Sequence, residues 1–507
     1  MPAPVPITGS DLSPVSLAAV ARDRAPVRIG PAVRQRIEAA AAVVERAARE
    51  GTPVYGLTTG LGPRVVEPVD GAEAALFSLR TLRGRATAAG PPLDRDVVRA
   101  AMAVRLNGLC AGGAGAGLAV AEGLAELLNA GVHPRVPRSG SVGASDLCLL
   151  AHVGLTLIGE GQAELDGQWL PSAAALQRAG LRPVVLGPKD GLAICSSSAV
   201  SVAAAALALV DAEALLSAAQ VSAALSMEGF RANLSPLDPR VVAARPAPGQ
   251  EWAARGLKAL LAGGGLADGS APARRLQDPL SFRCASQVHG SLRAALDWLA
   301  DALAPELNGA ADNPLVLVED GEIVSTGNFH IPALSLALDA AAVAIAQVAT
   351  LATQRQSRLK TERLSGLPSG LTAAGTTGSG LAPLSKTAQS LTLEIGHLAT
   401  PLALLSTVGG DGVEDDSTAA VQGALRVREQ LERLALVIAI ELMVAAQAVD
   451  LAPPSRLGAG TAAAHRCVRE LVQPLGEDRP VGPEVDRLAA EALDGGALLA
   501  RVGAAAG

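Results

Sequence analysis

The chain has 507 residues, 49% of them hydrophobic but only 2% aromatic, and a formal charge of −7. That acidic balance, with no dense Lys/Arg run, excludes the electrostatic footprint of a nucleic-acid-binding protein. The five cysteines (Cys110, Cys148, Cys195, Cys284 and Cys467) form no Cys-x-x-Cys pair and follow no signal peptide, and the six histidines are equally dispersed, which predicts a reduced, cytoplasmic setting and no metal site.

Small aliphatic residues and glycine dominate, which favours long, closely packed helices and predicts an all-α protein. Helical patterning first appears over 34–49, after Pro2, Pro4 and Pro6. A glycine-rich loop follows, Val54-Tyr55-Gly56-Leu57-Thr58-Thr59-Gly60-Leu61-Gly62. Helices are predicted over 72–88 and 94–130, until Pro134, Pro137 and Gly140 break the pattern. A second loop, Ser139-Gly140-Ser141-Val142-Gly143-Ala144-Ser145-Asp146, runs directly into an apolar helix over 147–158. The stretch 193–227 is almost all Ala, Ser, Val and Leu, so a helix there must be buried on nearly every side as the core of a bundle. Further helices are predicted over 283–304, 332–360, 383–403 and 417–450, with a short helical tail from Pro453. The most apolar run, 437–451, carries Glu441 and Asp450 and falls short of the roughly 20 clean residues of a membrane span. It reads as a buried helix, and no membrane partner is expected. The expected organisation is an N-terminal segment 1–200 with both loops, a long-helix bundle 201–452 and a helical tail 453–507. Helix faces this rich in alanine predict an oligomer.

Tyr55 is the only tyrosine. Held in a glycine-rich loop within hydrogen-bond reach, a phenol can take a β-proton from an amino acid as its α-amine leaves; the alternative is a tyrosine that anchors a turn. The segment Gln277-Asp278-Pro279-Leu280-Ser281-Phe282-Arg283 ends in an arginine, whose planar fork suits a carboxylate. Asn308, Asp312-Asn313-Pro314, Gly327-Asn328-Phe329-His330 and Glu414-Asp415 follow it. In order and spacing over 50–450, these segments resemble the histidine, phenylalanine and tyrosine ammonia-lyase superfamily. The resemblance implies a homotetramer of long helices that eliminates an amine from a small amino-acid-like substrate. It implies that Tyr55 is the base and that Arg283 grips the substrate carboxylate. Gln277, Asn313 and Phe329 then line the substrate, and Glu414 faces its side chain or amine. Asp312 and Asp415 read instead as capping and loop hydrogen-bonding residues. The family position that selects the ring falls on Arg85, the alternative being a solvated surface arginine.

The chain also departs from that family. Its Ala-Ser-Gly triplet, which cyclises to a methylideneimidazolone, is here part of Gly140-Ser141-Val142-Gly143-Ala144-Ser145-Asp146-Leu147, one glycine short. Cyclisation brings the third residue's amide nitrogen to the first residue's carbonyl across a compressed backbone, where glycine is least hindered. Ala144-Ser145-Asp146 is therefore expected to resist closure. The family's asparagine falls on Ser196, within Leu192-Ala193-Ile194-Cys195-Ser196-Ser197-Ser198, and its second tyrosine falls on Leu280. Three losses around one group predict that no cofactor is formed. Lys386, in Pro383-Leu384-Ser385-Lys386-Thr387-Ala388, stands where the family has an apolar active-site residue. A buried lysine needs a partner, for which Glu414 would serve; otherwise the helix is turned and Lys386 is exposed.

Tyr55, Arg283, Lys386, Arg85 and Glu414 still suffice for β-elimination when the leaving group is better than ammonia. A cofactor-free branch of the superfamily, ergothionase, releases trimethylamine from ergothioneine in this way. The low aromatic count argues against a cation–π cage for a trimethylammonium group, with Phe329 and Tyr55 the candidates to face it. Three readings result, in this order. The first is a cofactor-independent carbon–nitrogen lyase of an imidazole-type amino acid or its betaine. The second is an ordinary ammonia-lyase or aminomutase whose Ala144-Ser145-Asp146 still cyclises. The third is a non-catalytic binding homologue, disfavoured by the joint retention of Tyr55, Gln277, Arg283, Phe329 and Glu414.

Overall fold

The computed structural model describes residues 2–373, 377–405, 409 and 412–506. The chain forms two compact units: Met1–Val210 with Leu299–Leu338 and Pro401–Leu425, and Asp211–Trp298 with Asp339–Thr400 and Arg426–Gly507. Both are discontinuous in sequence, and the boundaries at 210, 298, 338 and 425 fall inside the helices Ala199–Phe230, Ala285–Asn308, Pro332–Leu359 and Ala420–Leu451. The fold is mostly helical, in keeping with the expected class, and the strands among the described residues are two to four residues long.

In the first unit, the helix Pro31–Glu50 opens with proline in its first turn and stops at Gly51 in the left-handed conformation, the usual asymmetry of helix ends. It buries Val33, Ile37, Ala40, Val43, Val44 and Ala47 along one stripe. Val54 and Leu57, on either side of Tyr55, join Ala40, Val43, Val44 and Val316 in one apolar cluster. Burying each of these two side chains contributes about 1.5–3 kcal/mol, so the tyrosine loop is clamped from both sides to a rigid helix.

Two expected helices are interrupted, each for a legible reason. The span 94–130 is two helices, Arg95–Cys110 and Leu118–Ala130. Between them Gly112 and Gly115 take φ of 93° and 67°, open to glycine at no steric cost. A Cβ on Gly113 would stand 2.4 Å from Leu315, so the turn packs directly on the hairpin Leu315–Leu317/Glu322–Val324. The span 193–227 breaks at Ser196–Ser198, between the helices Asp190–Cys195 and Ala199–Phe230. That break forms part of the site.

In the second unit, the Arg355 guanidinium meets the Glu441 carboxylate at 2.5 and 2.9 Å, both side chains fully buried. Ser222 and Ser226 donate to the same carboxylate at 2.8 and 2.9 Å. A buried ion pair persists when its remaining hydrogen-bonding capacity is met, as it is here. By length and composition, Asp190–Phe230, Pro332–Leu359 and Ala420–Leu451 are apolar enough to cross a membrane, yet 94%, 61% and 78% of their apolar windows are buried inside the fold.

Candidate active site

Tyr55 owes its place to the turn around it. The Val54 carbonyl accepts the amides of Leu57, Thr58 and Thr59, each at 3.1 Å, while the Thr58 hydroxyl ties the Val54 amide to the Thr52 carbonyl. Gly56 has φ of +70°, and a Cβ there would come within 2.4 Å of Leu192. The Gly62 amide, at the far end of the loop, donates to the Tyr55 hydroxyl oxygen at 3.0 Å. That bond fixes the phenol while leaving one lone pair and its own hydrogen available for exchange.

The second loop is built on hydroxyl groups. Ser145 has φ of +66° and Gly143 of +91°, and the two form an isolated bridge that closes a tight turn. A Cβ on Gly143 would collide with Thr418 at 2.2 Å, while the Thr418 hydroxyl donates to the Gly143 carbonyl at 3.0 Å. Asp146 is fully buried. Its carboxylate accepts Ser141 Oγ at 2.7 Å, the Ser201 amide at 2.8 Å and Ser201 Oγ at 3.1 Å. Ser201 lies in the first turn of Ala199–Phe230, so the Asp146 side chain meets one of the unpaired amides of that helix's N-terminus. Burial raises its pKa, and the bonds from Ser201 and Ser141 offset part of that rise.

Each serine of the helix break is engaged. Ser196 Oγ donates to the Asn313 carbonyl and accepts its amide, at 3.3 and 3.2 Å. The Ser197 carbonyl accepts both Ser145 Oγ at 2.9 Å and the Asp146 amide at 2.8 Å. Ser198 Oγ donates to the Phe329 carbonyl at 2.7 Å. Behind them, Arg105 and Asp312 form a buried pair at 2.6 Å, and Arg105 Nε donates to the Ala193 carbonyl at 2.8 Å. The Asp312 side chain is therefore an ion-pair partner rather than a helix cap. Its backbone carbonyl accepts Thr326 Oγ1 at 2.9 Å, which fixes the turn that carries Asn313. Ser197, Ser198, Ser201, Thr418 and Arg105 were not singled out from the sequence. The run of three serines interrupting an apolar helix was the one available signal.

These elements enclose a cleft of about 90 Å³ in the first unit. Tyr55, Arg85, Ser196 and Phe329 line it together with Asn313 and Glu414. Ala144 and Ser145 form part of its wall, as do Leu61, Gly62, Leu147 and Leu192. Asp146 does not line it, since its side chain turns into the core. Glu414 is exposed, its backbone paired with Gly409 at 2.7 and 3.3 Å. Behind the wall, burial pushes the Cys195 thiol up to about 12, with the Arg85 charge acting in the opposite direction.

The remaining expected residues belong to the second unit. Arg283 ends the short helix Leu280–Arg283, which is anchored by Phe282 stacked on Phe230 at 4.2 Å. With its amide oxygen turned to the guanidinium, Gln277 accepts from Arg283 Nη1 and Nη2 at 3.1 and 3.2 Å. Leu280 is 61% exposed. Lys386 lies exposed in the first turn of Leu384–Leu398.

The aromatic amino acid lyase family profile matches residues 12–470. The chain is 41% identical over 501 residues to the histidine ammonia-lyase of Symbiobacterium thermophilum, covering 98% of each chain. It is 38% identical over 511 residues to that of Sorangium cellulosum, covering 99% of each. Among solved structures it is similar to the ergothionase of Treponema denticola, captured with desmethyl-ergothioneine sulfonic acid. The TM-score is 0.92 at 30% identity, over 98% of this chain and 99% of that one. The histidine ammonia-lyase of Trypanosoma cruzi superposes with a TM-score of 0.91 at 31% identity, over 99% and 95% of the two chains. With matches this complete and a cleft built on the tyrosine, serine and asparagine loops, the chain belongs to the aromatic amino acid lyase family and is a carbon–nitrogen lyase.

Proposed function

We propose that this lyase eliminates an amine from an imidazole-type α-amino acid or its trimethylammonium betaine, and does so without a methylideneimidazolone. The observation that carries the reading is the third position of the would-be triplet. Asp146 stands there with its amide bonded to the Ser197 carbonyl and its carboxylate buried among Ser141 and Ser201. Cyclisation would have that nitrogen give up its hydrogen and attack the Ala144 carbonyl. The Asp146 side chain would have to follow, leaving a buried carboxyl and the amide of Ser201 without partners, at about 1–3 kcal/mol for each group. These residues do not fit the group.

In the proposed reaction Tyr55 first releases its hydroxyl proton to solvent, and the phenolate oxygen then takes the β-proton and returns to the neutral phenol. The C–H electron pair becomes the Cα–Cβ double bond, and the Cα–N pair departs with the nitrogen. A trimethylammonium leaves as neutral trimethylamine and needs no proton, so the betaine is the favoured substrate over the free amino acid, whose ammonia is the poorer leaving group. Arg283, oriented by Gln277, holds the carboxylate where negative charge develops. Glu414 faces the departing nitrogen, and Asn313, Ser196 and Phe329 position the substrate. A cleft of about 90 Å³ is well below the roughly 300 Å³ at which small-molecule sites begin. A site this small is consistent with further walls supplied by a neighbouring copy, and the proposed functional molecule is a homotetramer in the cytoplasm.

One observation favours a second reading, that of an ordinary ammonia-lyase. Ser145 sits at φ of +66° in a closed turn, the compressed kind of backbone from which such a ring would form. Intact mass and near-ultraviolet absorbance separate the two. The unmodified chain mass, no added band and amine release from a betaine are expected; loss of two waters with a new band would overturn the proposal.

A further inference from the structure

The segment 412–419 carries Glu414 to the cleft and then returns to the fold. Its far end is tied down. Thr418 Oγ1 donates to the Gly143 carbonyl at 3.0 Å, the Ala419 amide to the Val142 carbonyl at 2.9 Å, and Ser335 Oγ to the Thr418 carbonyl at 2.6 Å. Residues 412–416, by contrast, are all exposed. Within that exposed stretch Asp416 meets the fold, accepting His330 Nε2 on one carboxylate oxygen at 3.1 Å and the Ser417 amide on the other at 2.9 Å. The histidine is firmly rooted. Its amide donates to the Gly327 carbonyl at 2.9 Å, and the neighbouring Phe329 carbonyl accepts Ser198 Oγ at 2.7 Å. Thr326 donates through its amide to Asn313 Oδ1 and through its hydroxyl to the Asp312 carbonyl, both at 2.9 Å. His330 thus stands on a turn already fixed to the wall of the cleft, and the residue it grips lies two positions from Glu414.

We propose that His330 is a positioning residue of the elimination: through Asp416 it holds the Glu414 carboxylate at the cleft. The proposal rests on the lyase reading above, in which Glu414 faces the departing nitrogen. His330 is not among the residues that line the cleft, so it touches no substrate and acts through the segment it ties. The bond needs a hydrogen on Nε2, which a neutral imidazole provides as well as a charged one. Two magnitudes separate positioning from stability. With its side chains 27% and 68% exposed, such a pair adds little to the fold. A catalytic group displaced by about 1 Å, however, can cost roughly 100-fold in rate. Loss of this tie is therefore felt in turnover and hardly at all in the thermal melt.

The test uses the full-length protein with whichever amino acid or betaine it consumes. His330→Phe removes the donor and keeps a planar ring. It should lower kcat about 10- to 100-fold, leave KM within about threefold, and move the melting temperature by less than about 2 °C. His330→Gln, which can present an N–H to Asp416, should recover part of the loss. The deciding comparison is made in the Glu414→Gln background, where no carboxylate remains to be placed. There His330→Phe should change kcat by less than about twofold. A loss of the same size in both backgrounds would mean a general structural role and overturn the proposal, as would wild-type kcat in His330→Phe. Hydrogen exchange of a peptide covering 412–416 reads the tie without turnover. Exchange should quicken in His330→Phe, and unchanged exchange overturns the proposal whatever the activity. Quickened exchange in a protein that releases amine from no amino acid or betaine would sink the lyase reading and leave the tie standing.

Discussion

Replacing Tyr55 by phenylalanine removes one oxygen and almost no volume, so its effects separate cleanly. The fold should lose the single Gly62 bond to the hydroxyl, about 1 kcal/mol, while elimination should fall about 100-fold or more, as for other general bases. Steady-state assays beside a thermal melt check this; a variant retaining more than about a tenth of the activity would overturn the base assignment. Residues such as Tyr55 and Arg283 stood out because their chemistry is scarce in this chain and their neighbours, glycines or a Gln-Asp-Pro segment, restrict what they can do. Arg105 did not stand out. An arginine inside an apolar helix looks the same whether it meets solvent, a carbonyl or Asp312, and the pairing partner lies far away in sequence. Asp312 was misjudged for the same reason, since loop sequence predicts local hydrogen bonds and says nothing of a buried cation arriving from another helix.

At the scale of elements, Pro332–Leu359 leads into Lys360, which is 6% exposed and donates to the Leu381 carbonyl at 3.2 Å. Burial lowers its pKa from 10.5 to about 7. Between those values the unfolded chain holds a proton that the folded one lacks, so stability should rise with pH, by about 1.4 kcal/mol per pH unit at mid-window. Lys360→Met should remove that slope. Urea unfolding from pH 8 to 10 measures it, and identical slopes in the two proteins would contradict the assignment. Periodicity located the long helices to within a few residues, because their apolar stripes are continuous. It missed the interruptions at Gly112–Gly115 and Ser196–Ser198, where alanine-rich flanks hide a turn whose cause is a close approach to other segments. The short strands were equally hidden, since two to four residues carry no usable alternation.

For the whole molecule, the helix Pro332–Leu359 has 61% of its apolar window buried, against 94% for Asp190–Phe230. Leu336 and Val343 on the former are 52% and 41% exposed, as is Leu393 at 76% on Leu384–Leu398. Apolar surface of this kind calls for cover, and four copies would provide it. Light scattering at micromolar concentration should give the tetramer mass; a stable monomer would refute both the assembly and a site shared between chains. The solitary tyrosine offers a way to look inside such an assembly. Cells fed a fluorinated tyrosine would place one fluorine in each chain, at the base itself. A single resonance would report that the sites are equivalent, and a third line on partial loading, beyond those of the empty and the saturated protein, would reveal that filling one site is felt at another.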